Sequence, residues 1–172
     1  MILIGIGANL PTSAHGSPLE TCIAAVAALV EAGLVVHKQS PWYESAPVPA
    51  SDQPWFINGV VAVDTALAAV AILDRLHRIE EDHGRVRRET NAPRTLDLDL
   101  LDADGTVRDG IASGAPTLPH PRLHERAFVL LPLRDIDPDW RHPISGKTVD
   151  SLIADLPGCQ MARRLENSAG SD

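Results

Sequence analysis

Cysteine is nearly missing from this 172-residue chain, which holds only Cys22 and Cys159. Two thiols, one inside a helical pattern and one near the C-terminal end, make neither a disulfide framework nor a cysteine-rich zinc site, and they fit a reducing compartment. Long apolar runs are missing as well. No stretch approaches the roughly 18 residues of a membrane helix, and Met1-Ile2-Leu3-Ile4-Gly5 carries no basic leader pattern. Cationic charge is in deficit: 15 Lys and Arg against 23 Asp and Glu leave a net charge of −8. That excludes a general nucleic-acid coat, because phosphate backbones are held by net basic surfaces. Internal repeats and low-complexity blocks are also absent. A cytoplasmic monomer with no membrane and no nucleic-acid partner is expected.

What remains is ordinary globular sequence, 44% hydrophobic and 22% charged, long enough for one sizeable core. A single domain over residues 1–160 with a tail over 161–172 is expected. One stretch stands out, Arg94-Thr95-Leu96-Asp97-Leu98-Asp99-Leu100-Leu101. Its period-two alternation predicts a strand with one buried face, Leu96, Leu98 and Leu100 inward and Asp97 with Asp99 on the other side. Aspartate is a poor strand former, and two carboxylates roughly 7 Å apart on one face repel. One reason to keep them is defence against edge-to-edge pairing. The other is a divalent cation, or two of them about 3.5–4 Å apart. Arg85, Arg87, Arg88 and Arg94, crowded just upstream in an acidic chain, favour the cation. Metal on carboxylates, with phosphate oxygens shared between metal and guanidinium forks, is what a metal–polyphosphate site requires.

In chain order, Ile2 to Ile6 predicts a buried strand. It runs into Gly5-Ile6-Gly7-Ala8-Asn9-Leu10, where Leu10 replaces the third glycine of a dinucleotide fingerprint and a tight glycine turn is expected instead. Ser17-Pro18-Leu19-Glu20 has the N-cap, N1 proline and first-turn acid of a helix reaching about Ala32, with Gly33 as its stop and Ile23, Val26, Ala27 and Val30 as its core face. Val35 to Glu44 predicts a second strand. Ser45 to Pro54, with three prolines, is a long loop of the kind that serves as a lid. Trp55 to Asp64 predicts a strand, and Ala66 to Asp82 a helix with Val70, Leu73, Leu76 and Ile79 or Glu80 on one face, stopped by Gly84. Beyond the aspartate strand, Asp104-Gly105 marks a hairpin turn to a weak strand at Val107. Leu118 to Phe128 is a proline-bounded turn opening a short helix. Pro132 to Leu156 predicts a loop, a small hairpin and a last helix, followed by a frayed tail. Strand, helix, strand, strand, helix, strand is the ferredoxin-like order: an α+β fold, a mostly antiparallel sheet with helices packed on one face.

Two motifs are decoys. Gly146-Lys147-Thr148 ends like a phosphate-binding loop, but Arg141 stands where that loop needs its first glycine, so a turn leading into the last helix is expected. His120 and His124 have i, i+4 spacing without a His-Glu-x-x-His pattern, and Pro121 intervenes. His120, fixed between two prolines, suits a hydrogen bond to phosphate.

Several motifs occur together and in order: Gly7-Ala8-Asn9-Leu10, Asp52-Gln53-Pro54-Trp55-Phe56-Ile57-Asn58, Arg78-Ile79-Glu80, Gly84-Arg85-Val86-Arg87, Pro93-Arg94-Thr95-Leu96-Asp97-Leu98-Asp99, and Pro119-His120-Pro121-Arg122 with Arg126-Ala127-Phe128. Through them the chain resembles the hydroxymethyldihydropterin pyrophosphokinases of the folate pathway over about residues 1–157. The resemblance implies transfer of the pyrophosphoryl group of ATP to the hydroxymethyl oxygen of a reduced pterin, releasing AMP. It implies two Mg2+ ions on Asp97 and Asp99, and a catalytic set of Asp97, Asp99, Arg85 and Arg94. ATP would meet Arg85, Arg94 and His120 at its phosphates, with Arg87 and Arg126 nearby and Glu80 at the nucleotide. The pterin would lie between Phe56 and Phe128, the chain's only two phenylalanines, beside Asp97. Asn58 and the backbone of Ser45, Ala46, Pro47 and Val48 would read its polar edge. A flat heteroaromatic ring gains from two ring faces, and its buried edge needs matched partners. Where the family carries Trp-Gly-Pro-Arg this chain has Asn91-Ala92-Pro93-Arg94, so Trp42 or Trp55 is the expected substitute for the missing indole.

Two other classes compete. A non-catalytic ferredoxin-like module that binds a nucleotide or metabolite would not need both aspartates, and a metal-dependent phosphohydrolase would not need an acceptor pocket. The aromatic pair with Asn58 favours a transferase.

Overall fold

The computed structural model describes residues 1–84, 95–110 and 115–166. Its centre is β1 (Ile2–Ala8), paired antiparallel on one side with β4 (Phe56–Asp64) and on the other with β5 (Asp97–Ala103). β4 also holds β2 (Val35–Gln39) and β3 (Tyr43–Ser45), and β6 (Ala162–Arg164) closes the far edge against β3. The order β5-β1-β4-β3-β6, all antiparallel, bears out the ferredoxin-like expectation.

Period-two alternation splits the core in two. Ile2, Ile4 and Ile6 of β1, Val61 and Val63 of β4, and Leu96, Leu98 and Leu100 pack under α1 (Pro18–Glu31) and α2 (Ala69–Asp82). Leu3, Val60, Ala62 and Leu101 face the other way, against α3 (Ala127–Ile136) and α4 (Val149–Ala154). The expectation of helices on one face therefore holds for α1 and α2 but not for the C-terminal pair. β4 carries the reason in Val60-Val61-Ala62-Val63, four buried residues in a row that leave both sheet faces apolar.

Local signals placed the helix ends well. The Ser17 hydroxyl accepts from Glu20 N at 3.3 Å while the Glu20 carboxylate accepts from Ser17 N at 2.7 Å, a reciprocal capping box. Beyond α1, Gly33 adopts φ +81°, open to glycine at little cost. The buried face of α1 is nevertheless Thr21, Cys22, Ala25 and Leu29, whereas Ile23 and Val30 are 53% and 54% exposed. A helix apolar nearly all round does not select its own face; the sheet selects it. In α2 the buried set is Ile72, Leu76, Ile79 and Glu80, with Val70 exposed.

Other expectations also shift. The strand expected over Val35 to Glu44 breaks at Ser40-Pro41-Trp42, where Pro41 has no N–H to donate and the Ser40 hydroxyl accepts from Val60 N at 3.0 Å. Pro132 lies inside α3 rather than in a loop. The helix survives it because Leu130, Leu133 and Ile136 are buried, and three such side chains outweigh a proline cost of about 3 kcal/mol. Asp104 and Gly105 turn with positive φ, but no strand forms at Val107, and Arg108 makes a lone bridge to Leu118. Thr148 caps α4 by accepting from Ser151 N at 3.2 Å, as the turn reading expects. The stretch expected as a frayed tail supplies β6.

Below the sheet, Trp140 Nε1 donates to the buried Asp102 carboxylate at 3.0 Å. Beside it, His142 Nδ1 accepts from Ile144 N at 3.2 Å, and burial lowers the pKa of the ring. The folded state keeps His142 neutral, so on acidification the unfolded chain takes up the proton first. Stability should be full above about pH 6.5, the ordinary histidine value, and fall as pH drops below it. Burial lowers His120 in the same sense. Urea unfolding between pH 8 and pH 5 should show this loss, with a shallower slope in His142→Asn, whose amide oxygen can still accept.

Candidate active site

The second face of the sheet opens, beside the N-terminus of α3, into a cavity of about 240 Å³. Its floor is set by register. Gly7 pairs with Asp97 and Gly5 with Asp99 across β1 and β5, and Gly7 pairs with Asn58 across β1 and β4. The two glycines lie in mid-strand, not in the tight turn expected of them, and β1 runs through to Ala8. A Cβ at Gly7 would sit 3.4 Å from Asn58 Oδ1, and one at Gly5 3.4 Å from Leu101. Their bare backbone leaves room between the aspartates and the Asn58 side.

Asp97 and Asp99 both line this cavity, with Leu98 and Leu100 buried behind them. From the start of α3, Arg126 Nη1 lies 3.5 Å from Asp99 Oδ2, and its guanidinium carbon is 5.5 Å from the Phe128 ring centre. His120 is laid along β5 by its own backbone, its N–H donating to Leu101 O at 2.7 Å. Its Nδ1 accepts from Arg122 N at 3.2 Å, which assigns the ring proton to Nε2. Burial pushes the His120 pKa down and Arg126 adds to this, while Asp99 and Asp97 oppose it. The result is a neutral imidazole able to donate one hydrogen bond, held on β5 through Leu101 but not among the residues that line the cavity.

The carboxylate pair fits a hard cation. No third His, Cys, Asp or Glu groups with it among the described residues. Magnesium characteristically takes one or two carboxylates and fills its remaining positions with water and phosphate oxygens.

The opposite wall has a different chemistry. Phe56, Phe128, Ser45, Ala46, Pro47 and Val48 line it. Asn58 is buried, and its Nδ2 donates to Ser45 Oγ at 2.9 Å and to Phe56 O at 3.3 Å. With the amide nitrogen so held, Oδ1 faces the glycine floor as an acceptor. The loop after Ser45 is tied down at its far end, where Asn9 Nδ2 donates to Gln53 Oε1 at 3.2 Å and to Pro54 O at 3.3 Å. Asn9 and Gln53 had no role assigned from sequence, and Gly5 and Gly7 only that of a turn. Asn9, Gly7 and Gln53 nonetheless sit inside the quoted motifs, which is the signal that could have found them.

Some expected residues do not join the cavity. Glu80 is buried behind β5, its Oε1 accepting from Leu98 N at 2.7 Å, so it orders the aspartate strand. Trp42 packs against Gly59, and Trp55 lies under Arg163 at 5.5 Å. Neither lines the cavity, so neither replaces the missing indole. Arg85, Arg87, Arg88 and Arg94, with Asn91-Ala92-Pro93, lie outside the described residues. No helix among the described residues is long and apolar enough to cross a membrane.

Residues 3–138 match the family described as 7,8-dihydro-6-hydroxymethylpterin-pyrophosphokinase (HPPK). A Pseudomonas aeruginosa protein named 2-amino-4-hydroxy-6-hydroxymethyldihydropteridine pyrophosphokinase is 40% identical over 158 residues, covering 91% of each chain. A Synechocystis protein of the same name is 36% identical over 174 residues, 95% of this chain and 85% of the relative. Among solved structures, Plasmodium falciparum HPPK-DHPS superposes with a TM-score of 0.64 at 14% identity over 89% of this chain, a likeness of fold. This chain spans 44% of that longer one. A carboxylate pair beside an aromatic pocket, on this fold and with these relatives, has one reading: the chain belongs to the 7,8-dihydro-6-hydroxymethylpterin-pyrophosphokinase family.

Proposed function

We propose that this protein transfers the pyrophosphoryl group of ATP to the hydroxymethyl oxygen of 6-hydroxymethyl-7,8-dihydropterin, giving the pterin diphosphate and AMP. One observation carries the reading: a carboxylate pair suited to a metal–polyphosphate and an aromatic pocket with a fixed amide lie in the same cavity. A phosphohydrolase needs the first without the second.

The acceptor ring lies between Phe56 and Phe128, and Asn58 Oδ1 accepts from its polar edge, held in place by Ser45 Oγ. Backbone groups of Ser45 to Val48 complete that edge. Asp97 and Asp99 would hold two magnesium ions, which when bound neutralise the charge of the triphosphate. His120 Nε2–H and the Arg126 guanidinium bind phosphate oxygens from the side of β5 and α3. Arg85, Arg87 and Arg94 act with them on the strength of the motifs that contain them. Pyrophosphoryl transfer asks for alignment and charge stabilisation more than for a strong base, and Arg126 lines the cavity with both aspartates beside the acceptor pocket.

AMP release from ATP with magnesium, measured with and without the pterin, tests this directly. AMP formed only when the pterin is present is expected. AMP formed equally without it, or nucleotide binding with neither AMP nor ADP released, would overturn the proposal.

A further inference from the structure

We propose that the C-terminal segment 160–165 is a strap that sets the geometry of the acceptor pocket, with Gln160 as a positioning residue. This rests on the reading of the Phe56–Phe128 cavity as the pterin site.

The strap holds both walls of that cavity. On one side, β6 pairs Ala162 with Ser45, and Ala46 N donates to Met161 O at 3.1 Å, fixing the start of the pocket loop. On the other, Gln160 reaches the N-terminus of α3. That helix has no side-chain cap of its own, because Arg126 occupies the N-cap position. The first N–H groups of a helix have no partner within it. Gln160 Oε1 accepts one of them, from Ala127 N at 2.9 Å, while Gln160 Nε2 donates to Glu125 O at 2.7 Å.

Ala127 lies between Arg126 and Phe128, which line the cavity together with Val129. The entry of the chain into this helix therefore decides where the Phe128 ring stands relative to Phe56. Farther along, Arg163 pairs with Glu44 and covers Trp55, and Leu165 N donates to Trp42 O at 2.8 Å. These contacts anchor the strap on β3 and on the segment entering β4. Gln160 does not itself line the cavity, so its effect on a ligand passes through Phe128 and Arg126.

Binding of the pterin without nucleotide, followed by calorimetry on the full chain, separates the possibilities. Gln160→Ala should weaken pterin binding about fivefold, while the melting temperature falls by no more than about 4 °C, the share of one lost helix cap. Gln160→Glu keeps the acceptor for Ala127 N and suits the positive end of the helix but loses the donor to Glu125 O, so it should bind more tightly than Gln160→Ala and more weakly than the parent. Parental binding by Gln160→Ala alongside weakened binding by Phe128→Ala would overturn the strap and leave the pocket standing. Parental binding by both variants would overturn the pocket reading and the strap with it. Weakened binding with a large fall in melting temperature and no recovery in Gln160→Glu would make Gln160 merely structural and overturn the proposal.

Discussion

Asp97→Asn and Asp99→Asn should each fold like the parent and lose turnover by two to three orders of magnitude or more. The core residues of β5 are its leucines, and asparagine matches aspartate in size, so neither change disturbs packing. What each removes is half of the negative charge that would hold magnesium at the polyphosphate. Replacing Asp99 also takes away the carboxylate beside Arg126, 3.5 Å away. Circular dichroism and melting temperature should be unchanged, while kcat falls and added magnesium does not restore it at any concentration the protein tolerates. Turnover within tenfold of the parent in either variant would sink the assignment of metal to this pair.

Phe128→Ala should weaken pterin binding about thirtyfold, equivalent to roughly 2 kcal/mol for one lost ring face and its apolar contact. Nucleotide binding should change by no more than about threefold. The asymmetry follows from the cavity: Phe128 stands with Phe56 on the aromatic wall, whereas Asp97 and Asp99 line the β5 side, with His120 held to that strand outside the lining. Arg126 links the two, since its guanidinium lies near both Asp99 and the Phe128 ring. The variant is therefore read by calorimetry with each substrate separately. Equal losses for pterin and nucleotide would count against the ring sandwich.

The two variants probe features of unequal origin. The aspartate pair was legible in the chain, because strand periodicity is a local property: once Leu96, Leu98 and Leu100 are inward, Asp97 and Asp99 share the other face. The cap of α1 was legible for the same reason, since Ser17 and Glu20 close their hydrogen bonds within three residues, and the turn before α4 was legible although its Thr148 cap was not. Phe56, Asn58 and Phe128 entered through motifs, and no local pattern places them in one cavity.

What the sequence by itself determined is the strand–helix–strand–strand–helix–strand order up to β5, without the break between β2 and β3, together with the sides taken by the β5 residues and the family motifs. All of these are written in patterns a few residues long. Only the tertiary structure decided the rest. The bare floor made by Gly5 and Gly7 depends on their register against Asp99 and Asp97, more than 80 residues away in the chain. Glu80 belongs to β5 because α2 docks against that strand, and the buried face of α1 was chosen by the sheet beneath it. Gln160 caps a helix that begins 33 residues before it. Period and capping arise from each segment's own backbone geometry, whereas register and docking arise from which distant segments bury each other, and that is settled only when the core closes.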